Sequence, residues 1–107
     1  MLFRSSSSHL YRIAQEAVTN AIKHGRAKFI NISLEKSEDA TTLTITDDGV
    51  GLPEITQGEG LGLRIMAYRA GMIGATFHIE RLPDSGTRVT VKLPSNHAAS
   101  KNHAAKN

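Results

Sequence analysis

The stretch that most constrains this chain runs from Asp47 to Leu63 and contains two glycine clusters separated by a short polar connector. The first cluster ends at Gly51 and reads DDGVG, and the second spans Gly58 to Gly62 and reads GEGLG. Apolar and polar residues alternate before the stretch, and a helical pattern follows it. The pattern predicts a strand that ends in a glycine loop, and then a second glycine loop that opens a helix.

These loops indicate a ligand that carries phosphate. Glycines let the backbone approach a ligand closely, and a helix N-terminus offers unpaired N–H groups to an anion. A carboxylate at the first loop, Asp47, adds an acceptor for an amine of the ligand. Neither GxxxxGK[ST] nor GxGxxG occurs, which excludes the two commonest nucleotide motifs. Taken alone, Asp47, Gly49 and Gly51 are better explained as a strand that ends in a turn.

The rest of the chain predicts two helices and four strands. The predicted helices are Leu10–His24 and Gly60–Ile73, and the predicted strands are Phe29–Lys36, Thr42–Thr46, Thr76–Leu82 and Thr87–Leu93. The strands pair locally and do not alternate strictly with helices, which favours an α+β two-layer sandwich over a doubly wound sheet. In the first strand, alternation of Ile30, Ile32 and Leu34 predicts one buried face.

The two ends of the chain differ in composition from the domain predicted at residues 10–94. Residues 1–9 include the run Ser5 to Ser8 and are interpreted as a linker or a cloning remnant. Residues 95–107 are rich in Ala, Asn, His and Lys without periodicity, and are predicted to be disordered.

Charge and composition exclude several classes of function. The net charge of +3 comes from Arg4, Lys101 and Lys106, because the remaining ten basic residues are balanced by ten acidic ones. A neutral domain body gives no support for nucleic acid binding. The absence of Cys excludes disulfides and thiolate metal sites. No apolar run has transmembrane length, so a cytoplasmic setting without membrane contact by the domain is expected, whether or not a parent protein is anchored in a membrane.

The first predicted helix carries a polar strip opposite its apolar face. At about 100° per residue, Arg12, Glu16, Asn20 and Lys23 fall on this strip, and His24 lies at its border. A solvated helix face explains the strip best when it is taken alone. A carboxylate, an amide and an amine in line are also suited to a metal–phosphate group, and only the context decides between the two.

Four segments supply that context, because together they resemble the conserved boxes of the GHKL ATPase superfamily. In order, QEAVTNAIKHG, DDGVGL, GEGLGLRIM and SGTRVTVKLP resemble the N, G1, G2 and final Gly-Thr boxes. The resemblance covers about Leu10 to Pro94 and is to the catalytic ATP-binding domain of bacterial sensor histidine kinases, in the subfamily whose response regulators carry LuxR-type DNA-binding domains. It implies a Bergerat fold, with a mixed, mostly antiparallel sheet and helices on one face.

The resemblance also implies ATP and Mg²⁺ as cofactors and gives roles to individual residues. Asp47 resembles the acceptor for the adenine amino group, with Gly49 and Gly51 making room for the base. Asn20 resembles the Mg²⁺ ligand, and Glu16 resembles the residue that orients or activates the attacking group. The resemblance places the following residues around the nucleotide as well: Lys23, His24, Gly58, Gly60, Leu61, Gly62 and Leu63 near the phosphates, and Gly86 and Thr87 beneath the adenine.

The resemblance further implies that catalysis needs a partner. The phosphoacceptor histidine of such kinases lies on a separate helical dimerisation hairpin and is usually followed by an acidic residue, whereas none of the five histidines here is. We therefore expect no autophosphorylation by this chain alone, a separate dimerisation and phosphoacceptor domain, and a response regulator as an indirect partner. The short lid, Leu52 to Glu59, has no Lys or Arg, which predicts weak nucleotide affinity.

Two further expectations follow from the resemblance. Because domains of this kind usually have a strand before the first helix, we expect an N-terminal truncation that leaves a sheet edge open to pairing. The alternative function is a non-catalytic nucleotide-binding module that acts as a switch through protein–protein contacts. The presence of Glu16, Asn20 and Asp47 argues against this alternative.

Overall fold

The computed structural model describes residues 2–50 and 61–95, with side chains described for 6–50 and 62–95. The elements in order are α1 (Leu2–Lys23), β1 (Ile30–Lys36), β2 (Ala40–Asp47), α2 (Leu61–Met72), β3 (Thr76–Arg81) and β4 (Thr87–Pro94). The predicted lid from Leu52 to Glu59 and residues 96–107 of the predicted tail lie outside the described residues.

The four strands form one sheet in the order β1-β2-β4-β3, and every neighbouring pair is antiparallel. The chain between β2 and β4 contains α2 and β3. Strand β4 then returns to lie between β2 and β3 and pairs with both. The architecture confirms the predicted α+β sandwich with an antiparallel sheet and helices.

The hydrophobic core lies between one face of the sheet and the two helices. Alternate residues of β2 and β4 point to this face because side chains along a strand alternate with a period of two. The buried cluster consists of Ile13, Ala17, Leu43, Ile45, Met66, Ala70, Val89 and Val91. At about 25 cal/mol per Å² of apolar area, these contacts are the main source of stability, and they fix the helices over β2 and β4.

Helix α1 begins at Leu2, whereas the sequence predicted a helix from Leu10. The serine run has no apolar spacing, so periodicity alone did not indicate a helix there. Its extension is helped by a tertiary contact, since Nδ1 of His9 lies 3.2 Å from Nη1 of Arg69 on α2. The helix prediction was therefore too short, while the division of the chain at residue 9 stays a prediction.

Strand β1 differs from the predicted half-buried strand. Ile32 is 51% exposed and Leu34 is 58% exposed. In the register of β1 with β2, Ile32 is opposite Ile45 and Leu34 is opposite Leu43, so both side chains lie on the helix-facing side of the sheet. That prediction of burial was wrong because the helices cover β2 and β4 and leave the β1 edge uncovered.

Candidate functional site

A small, solvent-open cleft lies between the helices and one end of the sheet. The lining residues come from both helices, β2, β3, β4 and the turn after α1: Ala17, Asn20, Ala21, His24, Gly25, Ile45, Asp47, Met66, Ile79, Thr87 and Val89. Most of the lining is apolar, and a small number of polar groups converge on it. This is the usual character of a small-molecule site.

Asp47 is the last residue of β2 and lies at the end of the cleft. Its side chain points to the same face as Leu43 and Ile45, because the three residues alternate along the strand. Oδ1 of Asp47 accepts a hydrogen bond of 2.8 Å from the backbone N–H of Gly49. This bond fixes the carboxylate, and Oδ2 has no partner among the described residues, so it remains available as an acceptor for a ligand.

The loop after β2 is held tightly against the end of α1. The N–H of Val50 donates to the carbonyl of Gly25 at 2.9 Å. A methyl group added at Gly49 would lie 2.5 Å from that same carbonyl oxygen, so only glycine permits this approach. Gly25, which follows α1, is thus a buried contact point, and the left-handed residue after α1 is Arg26, with a φ of 53°.

Asp48 has a structural role that the sequence did not reveal. Its Oδ1 accepts hydrogen bonds from the N–H groups of Phe29 at 3.0 Å and Lys28 at 2.9 Å. These backbone donors lower the pKa of the Asp48 carboxyl below 3.8. The side chain therefore ties the segment between α1 and β1 to the end of β2, next to Asp47. The motif indicated Asp47 as the ligand-facing residue, but it gave no signal for this role of Asp48.

Thr87 lines the cleft beside Asp47, and Gly86 precedes it at the start of β4. Thr87 is directly opposite Asp47 in the register of β2 with β4, and it is buried. Gly86 has a φ of 101°, and a methyl group added there would meet the backbone carbonyl oxygen of Asp47. The glycine lets β4 enter the sheet close enough to place Thr87 in the cleft.

At the other end, Asn20 lines the cleft close to where the two helices meet, whereas Glu16 and Gly62 lie beside Asn20 and are not among the lining residues. Glu16 and Asn20 lie one turn apart on the same side of α1. A methyl group added at Gly62, in the first turn of α2, would meet Oε2 of Glu16 and lie 3.3 Å from Nδ2 of Asn20. The fold thus brings the segment QEAVTNAIKHG of α1 into contact with the segment GEGLGLRIM, at Gly62. The backbone N–H groups that open α2 have no partner within the helix.

The remaining predicted site residues have different positions. His24 is exposed at the rim and lines the cleft, whereas Lys23 is exposed on the last turn of α1 and does not line it. The side chain of Leu63 packs against the core. Leu61 begins α2, and its side chain lies outside the described residues, as do Gly51, Gly58 and Gly60.

Sequence reasoning missed the apolar part of the lining. These residues are Ala17, Ala21, Ile45, Met66, Ile79 and Val89. Four of them, Ala17, Ile45, Met66 and Val89, belong to the core cluster as well. Periodicity identifies such residues as buried, but it cannot tell a residue that contacts a ligand from one that contacts only protein.

The described residues contain no group of three His, Cys, Asp or Glu side chains that is placed to hold a metal ion. Where the two helices meet, the described oxygen donors are the side-chain amide of Asn20, which lines the cleft, and the Glu16 carboxylate one turn away. Such hard donors suit Mg²⁺, which keeps several waters and binds through few protein ligands. Neither α1 nor α2 combines the length and hydrophobicity needed to cross a bilayer.

Comparison with known proteins identifies the family. A model of the family described as histidine kinase-, DNA gyrase B- and HSP90-like ATPase matches residues 5–97. The sensor protein VraS of Staphylococcus epidermidis is 46% identical over 89 residues, covering 82% of this chain and 26% of the relative. VraS of Staphylococcus aureus is 45% identical over the same length. The chain thus spans about a quarter of the length of these relatives.

Solved structures agree with this result. The ATP binding domain of PrrB from Mycobacterium tuberculosis superimposes with a TM-score of 0.69 at 33% identity, covering 82% of this chain and 68% of that chain. The histidine kinase domain of a blue-light activated kinase from Erythrobacter litoralis gives a TM-score of 0.72 at 23% identity, covering 90% of this chain and 48% of that chain, and shows the shared fold.

These matches coincide with the site. The matched range contains the cleft, both helices and all four strands. The resemblance inferred from the four segments is therefore confirmed, and with it the binding of ATP. The chain belongs to the family of histidine kinase-, DNA gyrase B- and HSP90-like ATPases, and it is the ATP-binding catalytic domain of a sensor histidine kinase.

Proposed function

We propose that this domain presents the γ-phosphoryl group of Mg·ATP to a histidine on a separate dimerisation domain of its parent protein. The observation that carries the proposal is the convergence of three distant segments on one cleft. Asn20 and Asp47 line it together, and Gly62 lies against Asn20 and Glu16. A carboxylate acceptor at one end and oxygen donors beside a helix N-terminus at the other match the two ends of ATP.

Adenine is selected at the Asp47 end. The Oδ2 atom that Gly49 leaves available accepts a hydrogen bond from the adenine amino group. Guanine presents a carbonyl oxygen at that position, which would face the carboxylate without a proton between them. The apolar lining, including Ile45, Ile79 and Val89, contacts the faces of the base. Thr87 completes the wall beneath it.

The phosphates lie at the helix–helix end. Asn20 is the ligand for Mg²⁺, which bridges the phosphates and neutralises charge when it is bound. The N–H groups of the first turn of α2, at Gly62 and Leu63, point to the phosphates. Glu16 orients the attacking histidine, and the exposed Lys23 and His24 contact the nucleotide from the end of α1. Gly58, Gly60 and Gly62 are proposed to form the hinge of the lid over the phosphates, and Gly51, with Gly49, to make room for the base.

The nucleophile comes from outside the chain, as the sequence predicted. The phosphoacceptor domain of the parent kinase is the direct partner, and a response regulator with a LuxR-type DNA-binding domain receives the phosphoryl group afterwards. This transfer takes place where ATP is supplied, in the cytoplasm. The domain itself binds neither nucleic acid nor a membrane surface in this scheme.

Calorimetric titration with ADP and a non-hydrolysable ATP analogue tests the adenine end directly. We expect Asp47→Asn to weaken binding by roughly 10- to 100-fold, because a hydrogen bond to a charged acceptor is worth about 1.5–3 kcal/mol. An asparagine Oδ1 can still accept from Gly49, so the loop should keep its fold. GDP is the matched ligand, and equal affinities of the wild-type chain for ADP and GDP would contradict the proposed selectivity.

A phosphotransfer assay distinguishes the histidine kinase function from the alternative, a non-catalytic switch module. The acceptor hairpin of the parent protein is added in trans with labelled ATP, and phosphohistidine is measured. Transfer that depends on Glu16 supports the kinase. Tight ATP binding without transfer to any acceptor hairpin would favour the switch module instead.

A further inference from the structure

The α1–β1 segment, residues 24–29, borders the cleft and is hydrogen-bonded to both of its neighbours. His24 and Gly25, at the start of this segment, line the cleft together with Asp47. The N–H of Gly25 donates to the carbonyl of Asn20 at 3.1 Å, so the segment begins directly on the last turn of α1. A movement of the α1–β1 segment therefore changes the shape of the cleft.

The loop after β2 holds the α1–β1 segment at both of its ends. At the far end, Oδ1 of Asp48 accepts from the N–H groups of Lys28 at 2.9 Å and Phe29 at 3.0 Å. The N–H of Asp48 also donates to the carbonyl of Phe29 at 3.2 Å. At the near end, the N–H of Val50 donates to the carbonyl of Gly25 at 2.9 Å. Asp48 thus supplies the side-chain part of this attachment.

The position of the α1–β1 segment determines where the Asp47 carboxylate lies. Oδ1 of Asp47 is held by the N–H of Gly49 at 2.8 Å. Gly49 in turn lies so close to the carbonyl of Gly25 that a methyl group would not fit between them. A shift of the segment would therefore move Gly49, and the Asp47 acceptor would move with it. Asp48 is not among the residues that line the cleft, so its carboxylate acts on a ligand through these neighbours.

We propose that Asp48 is a positioning residue for adenine recognition, because it holds the α1–β1 segment where Gly49 directs Asp47 towards the base. This role rests on the proposed function, in which Asp47 accepts the hydrogen bond from the adenine amino group. Without the Asp48 bonds, a smaller fraction of the free molecules has the acceptor in place, and the apparent affinity for adenine nucleotides falls by the same factor. The two bonds require an oxygen atom at the Oδ1 position and do not require a charge.

Asparagine and alanine at position 48 give a test in which both variants have lost the same charge. Both N–H groups donate to Oδ1, so the amide oxygen of Asp48→Asn can accept them, whereas Asp48→Ala accepts neither. In calorimetric titrations at pH 7, we expect Asp48→Ala to weaken ADP binding about five- to tenfold and Asp48→Asn to stay within about twofold of the wild-type chain.

The fold of each variant is checked by circular dichroism at the temperature of the titration. Asp48→Glu is the second variant, and it replaces Asp48→Ala if the alanine variant does not fold. It keeps the negative charge but moves the carboxylate oxygens away from the Oδ1 position. We therefore expect Asp48→Glu to weaken ADP binding as Asp48→Ala does.

The ratio of ADP affinity to IDP affinity distinguishes positioning from a simple loss of stability. Inosine has a carbonyl oxygen where adenine has its amino group, so this ratio reports the contact with Asp47. Partial unfolding weakens both ligands by the same factor and leaves the ratio unchanged. We expect Asp48→Ala to lower the ratio by roughly threefold or more. Val91→Ala is the matched control, because Val91 is fully buried in the core and does not line the cleft. It should lower the melting temperature and keep the ratio.

Equal ADP affinities of Asp48→Ala and Asp48→Asn, or a loss of affinity with an unchanged ratio, would overturn the positioning role. Asp47→Asn separates this result from a failure of the proposed function. If Asp47→Asn lowers the ratio and Asp48→Ala does not, only the role of Asp48 is wrong. If Asp47→Asn keeps the ratio of the wild-type chain, the proposed adenine site is wrong, and the role of Asp48 is wrong as well.

Discussion

At one end of the cleft, Asp47 and Thr87 are placed by the register of two paired strands, whereas at the other end Glu16 and Asn20 are placed by the contact of two helices. The strand end is fixed by backbone groups: a methyl group at Gly86 would meet a carbonyl oxygen of the main chain. At the helix end, a methyl group at Gly62 would meet the ends of two side chains. Side chains can change rotamer at low cost, and a paired backbone cannot.

This difference suggests different tasks for the two ends. In the proposed function, the adenine end rejects a base that differs by a few atoms, and this requires groups fixed before the ligand arrives. The proposed phosphate end accepts a charged group that passes to a partner, and side chains that adjust are suited to that. Substitutions at the strand end should therefore mainly change the stability of the fold, and substitutions at the helix end should mainly change activity.

The largest expected effect is that of Gly86→Ala. A positive φ and a clash with the carbonyl of Asp47 should lower the free energy of unfolding by roughly 2–5 kcal/mol. Gly71→Ala is the matched control, because an added methyl group there meets nothing within 4 Å and the residue is helical. The control should raise stability by about 0.5–1 kcal/mol. Urea denaturation measures both, and an unchanged midpoint for Gly86→Ala would contradict a fixed strand end.

Asn20→Ala tests the helix end through its ligand. We expect Mg·ATP affinity to fall by about tenfold or more, since an interaction with a charged group is lost. Binding of ADP without Mg²⁺ should change much less, because the adenine contacts at Asp47 remain. Gln15→Ala removes an exposed amide from another side of α1 and serves as control. Equal losses with and without Mg²⁺ would show that Asn20 does not act through the metal.

The sequence predicted the fold well where local patterns and packing agree. All four predicted strands and both predicted helices are present, and the turn after α2 contains a left-handed glycine, Gly74, with a φ of 75°. It failed where tertiary context decides the outcome. Helix α1 extends through the serine run, and β1 exposes Ile32 although its alternation resembles that of the buried β2.

Prediction of the site also succeeded where local sequence decides the outcome and failed where tertiary context does. Motif spacing indicated Asn20 and Asp47, and both line the cleft. The contact between Gly25 and Gly49 was not predictable, because it depends on how closely a loop approaches a helix end. The motif indicated Asp47, but it did not reveal that the adjacent Asp48 would bind two backbone N–H groups. The backbone direction at the end of β2 alone sends Asp47 into the cleft and Asp48 to Lys28 and Phe29.

Asp48→Ala tests whether the Asp48 carboxylate, which lies outside the cleft, stabilises the end of β2. The backbone N–H groups lower the pKa of this carboxyl below 3.8 in the folded state, so its contribution to stability is present above that value. It is lost as the pH falls through the folded-state pKa. The variant should thus be less stable than the wild-type chain at pH 7, and the difference should shrink below pH 3.8.

Thermal melts of both chains across this pH range provide the measurement. Asp84→Ala, at an exposed turn carboxylate, is the control and should follow the wild-type chain at every pH. A stability difference for Asp48→Ala that is constant down to low pH would mean that the ionised carboxylate is not the source of the effect.

The smallest effect on stability is expected from Gly62→Ala, although this glycine is as crowded as Gly86. The added methyl group meets the Glu16 carboxylate and the Asn20 amide, and both are flexible ends that can rotate away. Alanine is also a better helix former than glycine, by about 1 kcal/mol. The change in unfolding free energy should therefore stay under about 1 kcal/mol. The displaced Glu16 should nevertheless slow phosphoryl transfer to an acceptor hairpin while ADP affinity is kept. If Gly62→Ala instead destabilises the chain as much as Gly86→Ala, the helix end is as rigid as the strand end, and the two ends do not divide recognition from transfer in this way.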